Sequence, residues 1–488
     1  MKIALINVSG RLSSEGSHLI SSLLKRAGHT VKSVFLSRKF PILYERKEIE
    51  LLDEIIRDVD LIMIAVYSAF SIRAAQITEF VREKYPGMKI IWGGPHCISA
   101  PELSLDYADI VCFAEGDEAV VDLVDKMDAC KDYTDTPNMA FNIKGNRIIN
   151  NVLPPFSDLD SLPYPDYDLD NQFLLDQGLF QMTKDLLERF YVRYPFTKPT
   201  FWILTARGCP NRCSYCNNCR YIAIYGHNPM RFRRVDNFIS ELEYLVGDLG
   251  FFEGVGFGDD DFFVRPVSQI EDFAAKYKKK IGLPFIVGVS ANTFKKEKME
   301  ILLDAGMKVI QMGVQSGSQR VLEEVFDRKV SVSKTIKSTR QIIPYNRSHG
   351  LQLILDFIID TPYETIEDIL KTFCCLIDIP QEVRVNAFVL TFFPGTPIYE
   401  RALRDGFIKP FSINTFRHYR SRNIIYQKNY AMFLVLMIQL LRNKQLLQYI
   451  PKRVLTALIS MPAITIASIF TKSFYSYIIK HLRPEIRG

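Results

Sequence analysis

The stretch FWILTARGCPNRCSYCNN, residues 201–218, decides how the rest of the chain is read. It opens as a β-type run, passes through Arg207 and Gly208, and then sets Cys209, Cys213 and Cys216 at C-x3-C-x2-C in a loop that a helix closes. Three thiolates at this spacing hold three irons of a 4Fe-4S cluster and leave the fourth iron open to an outside ligand. Zinc is the competing reading, but structural zinc takes four ligands, and Cys219 is the nearby candidate for the fourth. The position at the end of a strand favours the cluster, with Cys219 a bystander.

Working outward, FWILTARG is the first of six strand-like runs. GVGFGDD, PFIVGVSAN, VIQMGVQSG, LQLILDFIID and VRVNAFVLTFF follow, with helical stretches between them. Six β/α units predict a partial (β/α)6 barrel over residues 200–400, with its chemistry at the C-terminal strand ends. Upstream, residues 1–135 alternate in the same way through VKSVFL, DLIMIAVYS, MKIIWGG and ADIVCFA, which predicts a doubly wound, Rossmann-like parallel sheet. The strand ends of that sheet carry Ser9-Gly10, Tyr67-Ser68, Gly93-Gly94-Pro95-His96 and Glu115-Gly116-Asp117, small residues where a large flat ligand could meet backbone. Residues 136–199 read as a linker, because PPFSDLDSLPYPDYDLD at 154–170 has turn signals and little periodicity. Its end, FYVRYPF at 190–196, is rich in aromatic residues. Residues 401–488 read as a C-terminal helical region.

With 48% apolar and 24% charged residues the chain supports several buried cores. A formal charge of +6 spread over 488 residues gives no reason to expect nucleic acid. The IALINV run after Lys2 is too short and too β-branched for a signal peptide, so a cytoplasmic location is expected. Nine cysteines in a chain this long fit a reducing compartment, with Cys97, Cys112, Cys130, Cys374 and Cys375 expected as core thiols.

The cysteine motif and the segments after it resemble the radical S-adenosylmethionine (SAM) superfamily. The resemblance implies SAM contacts at Tyr215 before the last cysteine, and at Asp259 and Asp260 in GFGDDDFF. It implies further contacts at Ser290 in GVSAN, Gln315 in GVQSG, Arg328 in FDRK and Asp356 in LDFIID. In that last segment Asp360 replaces the family's usual Gly, which leaves the tightness of the turn open. FFPGTPIYE is similar to the family's closing F-P-G-T-P segment.

Through GHTV, GGPHCISAPE and EGDEAVVDL the first domain resembles the cobalamin-binding domain that precedes the barrel in one radical SAM group. The resemblance implies a cobalamin face made by Ser9, Gly10, Tyr67, Ser68, Gly93, Gly94, Pro95, His96, Glu115 and Gly116. The first loop, NVSGRLSSEG, carries no histidine, so bound cobalamin is expected base-off, with His96 ordering its loop. The implied reaction is C-methylation of an unactivated carbon by a 5′-deoxyadenosyl radical and methylcobalamin, consuming two SAM per turnover. An electron donor of the flavodoxin or ferredoxin type is implied, and the substrate is a small molecule or lipid-like. Alternatives are a radical SAM cyclase or other hydrogen-abstracting enzyme, a non-catalytic cobalamin sensor, and an enzyme whose first domain is an empty relic. The apolar run at 430–441 and VLTALISMPAITIASIF at 454–470, flanked by Lys and Arg, offer peripheral membrane contact; the other reading is a helical cover over the barrel.

Overall fold

The computed structural model describes residues 1–37, 43–227, 230–380, 382–415, 427, 429–443 and 449–459. They fall into two compact units. The first holds Met1–Asp260, Asp272–Phe285 and the described part of Phe392–Arg422, and the second holds Asp261–Glu271, Ile286–Thr391 and the described residues from 427 on.

The first unit begins with β1 (Lys2–Asn7), α1 (Glu15–Arg26), β2 (Thr30–Leu36), β3 (Leu61–Ala65), α2 (Ser71–Lys84), β4 (Lys89–Gly93), α3 (Pro95–Ser99), β5 (Ile110–Cys112) and α4 (Ala119–Asp128). The five strands pair in parallel in the order β5-β4-β3-β1-β2. Because the strands carry apolar side chains on both faces, two cores form. Ile6, Val34, Ile64 and Trp92 fill one, while Leu5, Met63 and Ile91 face the other. The chain reverses its winding between β1 and β3, and a ligand crevice opens at such a point, beyond the carboxyl ends of the strands.

The segment expected as a linker contributes four strands to this sheet: β6 (Met139–Ile143), β7 (Asn146–Ile149), β8 (Gln172–Leu175) and β9 (Leu179–Gln181). β6 and β7 extend it antiparallel beyond β5, while β8 pairs in parallel with β2 and carries β9 antiparallel. These strands are short, and β6–β7 join through Lys144-Gly145, both at positive φ, so their sequence reads as turn. The Pro-rich stretch at 154–170 lies between the two hairpins, and Asp166 fastens it to α1 by accepting from Ser21 Oγ at 2.5 Å and from Lys25 Nζ at 2.8 Å.

The second alternating series is present from end to end. It runs β10 (Thr200–Ile203), β11 (Ala206–Arg207), α5 (Asn218–Tyr225), β12 (Arg231–Phe232), α6 (Val235–Leu249), β13 (Gly254–Phe257), α7 (Val267–Lys280), β14 (Phe285–Val289), α8 (Lys296–Asp304), β15 (Met307–Gln315), α9 (Val332–His349), β16 (Gln352–Ile359), α10 (Ile366–Asp378), β17 (Arg384–Val389) and α11 (Pro397–Arg404). Within the first unit β10 pairs in parallel with β13. Within the second, β15, β16 and β17 pair in parallel, with Asp356 opposite Gly313 on one side and Asn386 on the other.

The apolar run at 430–441 belongs to α12 (Tyr430–Asn443), which packs on α10 with Ala431, Met432, Leu434, Val435 and Ile438 buried. Its apolar face is thus consumed inside the second unit. Among the described residues no helix is long and apolar enough to cross a membrane. Residues 460–470 of the second apolar run lie outside the described residues. Of the cysteines expected as core thiols, Cys97, Cys112 and Cys375 are buried, Cys374 is half-buried and Cys130 is exposed. Cys130 follows the end of α4 at a φ of 51°, so it sits in a surface turn.

Candidate active site

Cys209, Cys213 and Cys216 lie in the loop between β11 and α5, where Cys216 N–H donates to the Cys213 carbonyl at 3.0 Å and Cys219 N–H to that of Cys216 at 3.2 Å. Burial pushes the Cys209 thiol up to about 11 and that of Cys216 up to about 12, and the Asp260 charge and the neighbouring thiols add to both. The Cys209 and Cys216 thiols therefore resist ionising, and a bound cationic iron centre would supply the positive charge that reverses this. Among the described residues no three His, Cys, Asp or Glu side chains are gathered as a single metal ion requires. Three cysteine donors in one loop suit a cluster whose fourth iron stays open, whereas structural zinc takes four ligands.

Asp259 and Asp260 diverge. Asp259 is buried and accepts from Thr205 N and Thr205 Oγ1 at 2.6 Å each and from Ala206 N at 3.0 Å, so it staples the start of the cysteine loop to the end of β13. Asp260 takes Asn218 Nδ2 at 2.9 Å and lines a cavity; burial raises its pKa.

That cavity, about 460 Å³, connects the two halves of the first unit's chemistry. One wall is the expected cobalamin face, with Tyr67, Gly93, Gly94, Pro95, Glu115 and Gly116; the other is Gly208, Asn218, Tyr221 and Asp260 beside the cysteines. Gly94 has a φ of 96°, and a Cβ there would stand 3.1 Å from the Val66 carbonyl oxygen, so only glycine lets the β4–α3 turn present backbone to the cavity. A flat macrocycle fits such a floor. Ser9 and Gly10 line a second cavity of about 850 Å³, which also shares Tyr67 and Pro95 with the first. The Ser9 hydroxyl donates to Asn7 Oδ1 at 2.6 Å, and Ser68 Oγ lies 3.0 Å from His96 Nδ1. His96 is buried, tilts against Phe411 at 5.4 Å, and has its pKa lowered to about 4 by burial. It lines neither cavity.

Glu115, expected at cobalamin, grips Arg231 through both oxygens at 2.7 and 2.8 Å. Asp117 grips Arg207 in the same two-pronged way at 2.8 and 2.9 Å. Arg207 and Arg231 sit opposite each other on the β11–β12 ribbon. Burial works against the Arg207 charge, but Asp117 and Glu115 outweigh it and raise its pKa. A second junction lies at Ser99, whose Oγ bonds Asn217 Oδ1 at 2.5 Å. Gly395 of the F-P-G-T-P turn abuts it so closely that a Cβ would stand 2.3 Å from the Ser99 carbonyl oxygen.

In the second unit, Asp356 accepts from Gln311 Nε2 at 2.5 Å and Asn386 Nδ2 at 2.9 Å on the flanking strands, and burial raises its pKa. Gln315 ends β15 at a bulge with a φ of 70°, a strained setting for a side chain other than Gly or Asn. Arg328 is buried and donates Nη2 to the Gly313 carbonyl at 2.9 Å. Ser290 is buried at the end of β14, its Oγ accepting from Asn292 N at 3.3 Å. Asp261, unmarked in the sequence reading, accepts from Thr293 Oγ1 at 2.7 Å, and burial pushes its carboxyl up to about 6. Tyr215 sits half-buried between Cys213 and Cys216.

Residues 1–124 match the B12 binding domain family, and residues 203–373 match the Radical SAM superfamily. The chain is 24% identical over 350 residues to the "Uncharacterized methyltransferase PH0819" of Pyrococcus horikoshii, covering 70% of this chain and 68% of that protein. It is 22% identical over 312 residues to an anaerobic magnesium-protoporphyrin IX monomethyl ester cyclase of Rubrivivax gelatinosus, covering 62% of this chain and about half (51%) of the relative. Among solved structures, the radical SAM methyltransferase TsrM of Kitasatospora setae, with cobalamin and a [4Fe-4S] cluster bound, superposes at a TM-score of 0.66. Its identity is 16%, and the match covers 83% of this chain and 78% of that one. With both domains matched in order, the chain belongs to the radical SAM enzymes that carry an N-terminal cobalamin-binding domain.

Proposed function

We propose that the protein is a cobalamin-dependent radical SAM methyltransferase that places a methyl group on an unactivated carbon of a small molecule. The observation that carries this reading is the shared cavity: residues of the cobalamin face and of the cysteine loop line one space. When bound, the cluster supplies the electron that cleaves SAM and cobalamin supplies the methyl group. Overall, two SAM and two electrons convert a substrate C–H into C–CH3. The hydrogen leaves in 5′-deoxyadenosine, and methionine and S-adenosylhomocysteine are the other products. A reductant of the flavodoxin or ferredoxin class provides the electrons.

The chain's own residues have separable tasks. Cys209, Cys213 and Cys216 hold the cluster. Tyr215, Asp260, Ser290, Gln315, Arg328 and Asp356 contact SAM, with the Arg328 guanidinium suited to its carboxylate and Asp356 to its ribose hydroxyls. Asp259 acts one step back, holding the loop from Thr205 to Ala206 in place. Gly93, Gly94, Pro95, Tyr67 and Gly116 bear the macrocycle, while Ser9, Ser68 and His96 order the loops around it. This division of labour runs past residue 135, because β6–β9 extend the first sheet through Gln181.

The test is anaerobic. Protein reconstituted with iron, sulfide and hydroxocobalamin is given SAM and a strong reductant, and S-adenosylhomocysteine and 5′-deoxyadenosine are followed together. Formation of both, with S-adenosylhomocysteine lost when cobalamin is left out, supports methyl transfer. 5′-Deoxyadenosine alone, with or without cobalamin, overturns it in favour of cyclisation or another hydrogen abstraction.

A further inference from the structure

The aromatic run at 190–196 has a clear division of faces. Phe190, Val192 and Tyr194 line the cavity of about 850 Å³, while Tyr191 turns into the core, edge-on to Phe252 at 4.9 Å and within 3.1 Å of the Tyr167 hydroxyl. The chain leaves the helix Lys184–Phe190 and turns extended at Tyr191, after which alternate side chains take opposite sides. Phe70, Trp202 and Phe393 continue the aromatic wall. At its other end the cavity reaches Ser9, Gly10, Tyr67 and Pro95 of the cobalamin face. Its volume is that of a drug-sized ligand site.

The polar lining narrows the ligand further. Arg11 is the one cation among the lining residues, and it is exposed. Glu15 also lines this cavity, with Oε2 accepting from Leu204 N at 2.7 Å, a bond that leaves Oε1 free of it. Burial, with the Glu241 charge beside it, pushes the Glu15 carboxyl up to about 8, so at neutral pH it presents an O–H donor. The two arginines that act on Glu15, Arg207 and Arg233, are held by Asp117 and Glu241, so Arg11 is the lining cation left for an anionic ligand, whereas a ring finds aromatic faces and edges on several sides.

We propose that this cavity holds the methyl acceptor, and that the acceptor is an uncharged, ring-bearing small molecule whose carbonyl or similar hydrogen-bond acceptor meets Glu15. The proposal rests on the methyltransferase reading. It gives residues 190–194 a task in choosing substrate, and it sets the acceptor against the face from which the methyl group comes.

The test uses the holoenzyme, loaded anaerobically with cluster, cobalamin and SAM, in equilibrium dialysis with three probes: 2-acetylnaphthalene, 2-naphthoate and decanamide. The naphthyl ketone is expected to bind at least about tenfold more tightly than the other two. Y194A and F190A are each expected to weaken it by about tenfold, E15A by about fivefold, and E15Q, which can still donate a hydrogen bond, to recover most of that loss. Substrate-free S-adenosylhomocysteine formation is read in every variant. If it persists while the ketone is lost, the site and the methyltransferase reading both stand; if wild-type protein makes none, that reading fails separately. Equal binding of naphthoate or decanamide, or unchanged ketone binding in both aromatic variants, overturns the proposal.

Discussion

Asp117 holds the two terminal nitrogens of Arg207 at 2.8 and 2.9 Å, and Arg207 stands two residues before the first cluster cysteine. A planar guanidinium gripped by both carboxylate oxygens has little freedom to rotate, so this pair fixes the cysteine loop against the turn that follows β5. The Glu115–Arg231 pair repeats the device on the facing strand of the ribbon.

Breaking the Asp117–Arg207 pair is therefore predicted to act on stability and chemistry together. D117N leaves a largely buried guanidinium with half its partner and is expected to cost on the order of 3 kcal/mol in urea denaturation. R207K, which keeps the charge but loses the fork, is expected to lower S-adenosylhomocysteine and 5′-deoxyadenosine formation with an unchanged iron content. Full activity in R207K would show that charge alone suffices.

The Glu15 carboxyl carries a pH signature. Its folded-state pKa of about 8 lies above the ordinary 4.5, so between those values the folded protein binds a proton that the unfolded chain has released. Stability falls as pH rises through that window. E15Q is expected to flatten the decline of the urea midpoint between about pH 6 and pH 8, and an identical slope in both proteins would contradict the buried-acid assignment.

Replacing Cys213 with Ala is expected to abolish bound iron and sulfide. C219S is expected to keep both, since the Cys219 thiol lies outside the three-cysteine motif. Iron loss in C219S would make it a fourth ligand and reopen zinc-like coordination.

His96 sits behind the cobalamin face with Nδ1 at the Ser68 hydroxyl. The paramagnetic resonance spectrum of reduced, cobalamin-loaded protein is expected to show no axial nitrogen coupling, and to be the same in H96Q. A nitrogen coupling present in wild type and absent from H96Q would make His96 the ligand.

Asp360, where the family has Gly, keeps the left-handed turn at a φ of 61° and accepts from Gln427 N at 2.7 Å. D360A keeps the strain and loses the acceptor, whereas D360G loses only the acceptor. D360A is expected to be the less stable by about 1 kcal/mol in urea denaturation, and equal stabilities would mean the turn carries no strain.

Much of this was legible in the sequence because period and punctuation agreed. Each run such as DLIMIAVYS or LQLILDFIID is apolar on both faces and ends in small or polar residues, which fixes a buried parallel strand and the end at which it works. The strands from Met139 to Gln181 were not legible, because short edge strands such as NRII need only half a buried face. Carboxylates at strand ends serve as ligand contacts or as staples, and the stapling of Thr205 and Ala206 by Asp259 was not legible because it joins two strand ends about fifty residues apart. Glu15 is a first-turn acid of α1; what sets it apart is the company of Leu204, Glu241, Arg233 and Arg207, far away in sequence.

The two hairpins that flank the first sheet also determine how that half of the protein can be handled. Without β6–β7 and β8–β9, strands β5 and β2 would end in open rows of N–H and C=O groups, ready templates for another chain. A fragment cut at Asp135 would therefore expose the edges of β5 and β2 and be prone to clumping, whereas one carried through Gln181 leaves only the short strands β7 and β9 at the margins of the sheet.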